Sequence, residues 1–311
     1  MMSNTSKGSF APQLSGIRTF LFGALALVWF VEMVLWGFPS LSEKWTIVQN
    51  MNPPGDPQLA AALFITHAAR AAAKAVLGVM AVFGLRSKNP SVRTALFLSM
   101  ALVPPLNILF QFREQGFPLG QTVIAIILTT VLWGTFFLFR EPIGQPEQKG
   151  TAGTGPLPSS RSEIFQDTWF AVNAAILTLM AFLFLFWPRT ALGFTFPYLS
   201  GLLKTDGGGL SSLIASTLTS GAHLFALAIA TWIATIYFRS IPALRQAITV
   251  ASALHAGLMC LWPLRQMIRE VGGSNSASSI LSLFVPLLVG WMLFAAFSYR
   301  ARPQEQHEAY T

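Results

Sequence analysis

The sequence predicts an all-α integral membrane protein of about eight transmembrane helices, built as two parallel four-helix repeats. Three observations carry that expectation. The chain is 53% hydrophobic and only 10% charged, whereas a soluble domain carries about 25% charged residues. Its apolar runs approach or exceed the roughly 20 residues a helix needs to cross a bilayer. Its two halves can also be laid over one another, with a Gly/Pro/Ser-rich segment between them.

Residues 1–17 read as a polar tail. The first span, 19–38, follows Arg18 and contains Glu32. No small-residue cleavage site closes it, so it reads as a membrane helix rather than a cleaved signal. The second span, 59–85, is alanine-rich and carries His67, Arg70 and Lys74. The third, 94–112, is interrupted by Pro104 and Pro105, which remove helix hydrogen bonds and bend the span. The fourth, 118–139, completes a first bundle, 18–140. Residues 141–167 form a connector whose composition implies flexibility. A second bundle, 168–300, holds the spans 168–187, 211–238, 244–264 and 278–299, and 301–311 is a second polar tail. No run alternates polar and apolar residues as a membrane β-strand would.

Composition narrows the function. The single cysteine, Cys260, excludes an internal disulfide and a Cys-rich zinc site. The net charge of +8 does not point to nucleic acid, because the basic residues are scattered between apolar spans rather than gathered on one face. The expected partners are the lipid bilayer and other membrane subunits. Lys7, Arg18, Arg86, Lys88, Arg93, Arg140, Lys149, Arg161, Arg239, Arg245, Arg300 and Arg302 fall on one side of the membrane. Lys44, Arg113, Arg189, Lys204, Arg265 and Arg269 fall on the other. This bias places both termini in the cytoplasm, in a cytoplasmic (inner) membrane.

The repeat is clearest in the second spans. THAARAAAKAVLGVMAVFGLR (66–86) lies over TSGAHLFALAIATWIATIYFR (219–239). This aligns Thr66 with Thr219, Arg70 with His223 and Arg86 with Arg239. The first spans match more weakly, through Phe38-Pro39 and Trp187-Pro188. With an even number of spans per half, the two halves share one orientation, related by an axis along the membrane normal.

A first span closing in WGFP (36–39), a second entered through HAAR (67–70), and the basic hinge GLRSKNPSVR (84–93) follow one another in the first half. In these features each half resembles the DoxX-type four-helix membrane bundles. The resemblance implies a binding or accessory role near membrane redox chemistry, including quinone-linked complexes. The second half departs from it in carrying His223 for Arg70 and no acid like Glu32.

The informative residues are polar groups inside apolar spans. A charge at the bilayer centre costs roughly 2.5–3.5 kcal/mol on insertion scales and usually faces a partner or a cavity. At about 1.5 Å per residue, Glu32, His67, Arg70 and Asn107 fall at a similar level of the first bundle. His67, Arg70 and Lys74 share one helical face. The expected pairing is Glu32 with Arg70, while Lys74, nearer the cytoplasmic end, snorkels that way. Two readings follow. The ion pair fixes the packing of the first helix on the second. Alternatively, these five residues form a pocket in which Arg70 or Lys74 receives an anionic or carbonyl head group and Glu32 or His67 moves a proton. His223 and His255, near mid-membrane in the second half, are candidate ligands for a haem or pigment metal. No HxxxH or HExxH spacing supports a metal site. No cofactor is required by the sequence, although quinone, haem or pigment would suit the setting. Asp167, at a membrane edge, is a poor catalytic candidate.

Three function classes remain. A non-catalytic accessory or lipophile-binding subunit suits the sparse chemistry. An embedded enzyme acting on a quinone, isoprenoid or lipid would use Glu32 and Arg70, but its catalytic set is unknown because no second acid or metal accompanies them. A small-solute transporter suits repeats with midplane polar groups, but the second half has few polar residues to mirror the first.

Overall fold

The computed structural model describes residues 10–37, 57–87, 89–115, 126–134, 161–196, 208–236, 242–269 and 275–300, with the single positions 123, 199, 201 and 203. Among the described residues there are helices and turns and no strand. The helices are α1 (Phe10–Gly37), α2 (Pro57–Arg86), α3 (Pro90–Ala101), α4 (Val103–Gln115), α5 (Arg161–Phe186), α6 (Pro188–Thr195), α7 (Gly208–Ile236), α8 (Pro242–Arg269) and α9 (Asn275–Arg300). Residues 126–134 of the expected fourth span are also helical. Five stretches are long and apolar enough to cross a membrane: Ile65–Arg86, Ser91–Arg113, Ile164–Phe186, Leu213–Ile236 and Ala243–Leu261. Thr19–Leu35 and Phe284–Ala296 are shorter apolar helices. The tail at 1–9, connector residues 141–160 and the tail at 301–311 lie outside the described residues.

Local chemistry sets the helix ends. Between α2 and α3 the basic hinge is a tight turn. The Asn89 side chain accepts from Ser91 N and Val92 N, and Pro90 opens α3, the arrangement that satisfies otherwise orphaned amides at a helix start. Arg93 Nη1 donates to Ser87 O at 2.9 Å and ties the turn to the new helix. The third expected span is divided at Leu102, immediately before Val103-Pro104-Pro105, as the missing amides of a proline pair require. At Trp187 the chain leaves α-helical geometry (φ −132°, ψ 59°), because a residue preceding proline is pushed out of that region. Pro188 then starts α6, a helix that apolar periodicity in a loop of mixed composition did not announce. One boundary is corrected: α5 begins at Arg161, so 161–167 is helix rather than connector.

Two helices form the centre. The Leu213–Ile236 and Ile65–Arg86 stretches are 83% and 67% buried, against 28% for Ile164–Phe186. α1 lies along α2, and α5 lies along α7. Small residues permit these approaches. Ala62, Ala68, Ala71, Ala72 and Ala75 of α2 are fully packed. Phe30 and Phe22 of α1 lie over Gly78 and Gly84 of α2, while Phe184 and Leu185 of α5 lie over Gly221 of α7.

The halves are not independent bundles. α8 packs more extensively on α2 than on α7, while α3 and α4 together pack more extensively on α7 than on α2. Each third span thus crosses to the other half's second span, and α2 meets α7 directly. Helices from 18–140 and from 168–300 therefore pack against one another. Gln111 Nε2 of α4 donates to Thr219 Oγ1 of α7 at 3.2 Å. Arg113 of α4 donates to the carbonyls of Leu185 and Phe186 at 3.3 and 3.2 Å, placing a cation on the C-terminal carbonyls of α5.

Candidate functional site: a charged seam and an apolar cavity

Two neighbouring regions hold the polar chemistry. The first is the seam between α1 and α2. Lys74 Nζ forms an ion pair with Glu32 Oε2, which corrects the expected Glu32–Arg70 pairing. Lys74 does not snorkel: its side chain is 7% exposed, and Nζ sits 4.3 Å from the Trp29 ring centre, a cation–π contact added to the ion pair. The reason lies in helix offset. Arg70 and Lys74 are one turn apart on one face, so a modest axial shift of α1 decides which of them meets the carboxylate. Glu32 still acts electrostatically on Arg70, and Arg70 on His67 and Lys74. Glu32, His67, Arg70 and Lys74 therefore form one charged cluster. Asn107 is on α4 with its Oδ1 buried; among the described residues no hydrogen bond joins that oxygen to the cluster.

His223 of α7 borders the seam. Its Nδ1 donates to Thr219 O at 2.6 Å, which leaves Nε2 as an acceptor in the neutral ring. The ring stands edge-on to Trp29, with centres 6.3 Å apart, and lies in the electrostatic field of Lys74 and Arg70. Two adjacent cations make Nε2 a poor ligand for a metal cation. Among the described residues, no group of three or more His, Cys, Asp or Glu side chains could hold a metal ion.

The second region is a cavity of about 360 Å³ among α2, α5, α7, α8 and α9, with α6 at one end. Ile65, Thr66, Ala69 and Ala73 form its α2 wall, and Thr217, Ser220, Leu224 and Leu227 its α7 wall. α8 contributes Ser252, His255 and Met259, and α9 contributes Phe284, Leu287 and Trp291. Asn173, Ile176, Leu177 and Met180 of α5 face them, and Ala191, Leu192 and Phe196 close the end at α6. Among the described residues, no Asp, Glu, Lys or Arg lines it. On α2, the lining positions Thr66, Ala69 and Ala73 are immediately followed by the charged-face positions His67, Arg70 and Lys74. The two regions therefore occupy adjacent stripes of one central helix. Of the two histidines considered together, His255 lines the cavity with its ring against Phe284 at 5.9 Å, while His223 faces Trp29.

Two further features escaped sequence reasoning. Arg245, counted in the sequence among the basic residues on one side of the membrane, has a side chain 5% exposed and forms an ion pair with Asp167. Its guanidinium lies 4.8 Å from the Phe170 ring centre, and its Nε donates to Ala234 O at 3.4 Å. It thereby joins the starts of α5 and α8 to the end of α7. The second feature is an aromatic cluster of Phe165, Trp169, Phe170, Trp291 and Phe294 between α5 and α9. Trp169 lies over Gly290 there. Spacing alone signals the Ser252–His255 face, three residues apart on α8, but nothing in the sequence says that this face borders a hollow.

Comparison with known proteins gives no match: no protein-family model, no curated protein and no solved structure matches the chain.

Proposed function

We propose that the protein is a non-catalytic membrane module that binds a lipophile in the cavity bounded by α2, α5, α7, α8 and α9, as an accessory subunit of a membrane complex. The observation that carries this reading is the cavity itself. Its volume of about 360 Å³ falls in the range of small-molecule sites, which are mostly apolar with a few placed polar groups. The embedded-enzyme reading is weaker because Glu32, its acid–base candidate, is held in an ion pair with Lys74.

The same reading takes the chain as eight spans in an inner membrane with cytoplasmic termini, duplicated in tandem, and DoxX-like in each half. Reciprocal packing supports the duplication: α1 on α2 matches α5 on α7, and α2 on α8 matches α7 on α3–α4. A pseudo-twofold axis between α2 and α7 accounts for both.

The test is gentle detergent purification followed by mass spectrometry of bound lipids and co-purifying proteins. A stoichiometric lipophile is expected with the unaltered chain and is lost in Leu224→Trp, which fills the cavity, while the variant stays monodisperse. Ala69→Phe fills it from the opposite wall and serves if Leu224→Trp does not fold. Retention of the same lipophile by a folded filled variant, or purification without any, overturns the reading.

A further inference from the structure

We infer that Ser252 and His255 form a head-group subsite in the cavity wall, selective for an uncharged lipid that carries a carbonyl oxygen. This inference rests on the lipophile-binding reading and specifies the ligand's chemistry.

The wall contains few polar side chains, and most are already satisfied within their own helices. Thr217 Oγ1 donates to Leu213 O, Ser220 Oγ to Ser216 O and Thr195 Oγ1 to Ala191 O, at 2.9, 3.0 and 2.9 Å. Asn173 Nδ2 donates to Trp169 O at 2.7 Å. Such back-bonding to the preceding turn is the usual fate of a hydroxyl in an apolar helix. Ser252 departs from it. The residue is 5% exposed, and its Oγ is the one buried hydroxyl without a hydrogen-bond partner among the described residues. A buried hydroxyl left unpaired is unfavourable, and this one belongs to a residue that lines the apolar cavity. His255, three residues on, shares that wall of α8 and supplies an imidazole beside the hydroxyl.

The chemistry of the occupant follows. Among the described lining residues there is no Asp, Glu, Lys or Arg to offer a carboxylate or phosphate head a counter-charge, and burying such an ion unpaired is costly. A hydrocarbon would leave Ser252 unsatisfied. A neutral carbonyl accepts the Ser252 O–H while its chain takes the surface made by Leu224, Leu227, Leu287 and Trp291.

The test measures binding of radiolabelled probes to the full chain in nanodiscs. The probes are a medium-chain methyl ketone, the alkane of equal length and the fatty acid of equal length at a pH where it is ionised. The ketone is expected to bind about tenfold more tightly than either analogue. Ser252→Ala, which keeps the shape and removes the hydroxyl, is expected to weaken ketone binding about fivefold and leave alkane binding unchanged. Equal binding of ketone and alkane, or a ketone affinity unaffected by Ser252→Ala, overturns the subsite while leaving the cavity reading intact if Leu224→Trp still abolishes binding. Preference for the fatty acid also overturns it. If a folded Leu224→Trp retains full ketone binding, the cavity reading itself fails.

Discussion

The α1–α2 seam and the α5–α7 side of the molecule each pair two long helices, but with opposite chemistry between them. In the alignment of second spans, Lys74 falls on Leu227. With Pro39 laid on Pro188, Glu32 falls on Ala181. Where the first half has an ion pair roofed by Trp29, the second has a leucine lining a hollow and a fully buried alanine. Charge in the first half fixes one helix against another. On the other side, Leu227 contributes to an apolar cavity wall.

Transplanting the difference should have the largest effect. Leu227→Lys puts a cation at the position of Lys74 without an acid opposite, and is expected to cost about 3 kcal/mol or more and to abolish lipophile retention. A thermal melt of purified protein, read alongside bound-lipid mass spectrometry, checks both. An unchanged melt would mean that the two sides are less distinct than the geometry implies.

Breaking the ion pair comes next. Glu32→Gln leaves Lys74 and Arg70 without their shared carboxylate, and is expected to cost about 3 kcal/mol. That is the low end for a buried pair, because the Glu32 side chain retains 34% exposure. Lys74→Met should cost less, since Arg70 still feels the carboxylate. The double variant should recover part of the loss. Strictly additive shifts in this cycle would show that the pair does not hold the helices.

Glycine substitutions then sharpen the comparison of the two helix contacts. A Cβ at Gly221 would stand 2.9 Å from Phe184 Cβ, an atom that cannot swing away. A Cβ at Gly78 would meet the ring of Phe30 at 2.9 Å, and a ring can tilt. Gly221→Ala is expected to cost about 2 kcal/mol and Gly78→Ala about 1 kcal/mol, with the reverse order refuting the stiffer contact at Gly221.

The smallest effect is expected at the membrane edge. The Asp167 side chain is 47% exposed, so Asp167→Asn should cost about 0.5 kcal/mol. Arg245→Ala should cost more, because it also loses the Phe170 face and the Ala234 carbonyl. Equal melts for these two variants would show that Arg245 matters only as a charge.

The sequence alone determined that the chain is helical, with helices long and apolar enough to cross a membrane. Bilayer thickness sets helix length, and an apolar solvent forces each segment to satisfy its own backbone. It also announced the break before Pro104-Pro105 and the Asn89-Pro90 turn, because proline geometry and side-chain capping act within a few residues. It singled out Glu32, Arg70 and Lys74 as buried charges requiring compensation, but paired Glu32 with Arg70 and sent Lys74 toward the cytoplasmic end. Tertiary structure decided which cation Glu32 meets, since Arg70 and Lys74 differ by one helical turn and only the axial offset of α1 chooses between them. It decided that α3–α4 and α8 cross between halves. It also decided that Arg245 finds Asp167 across the bundle, and that Ser252 and His255 border a hollow. Those outcomes depend on relative positions of helices distant in sequence, and single-helix periodicity carries no information about them.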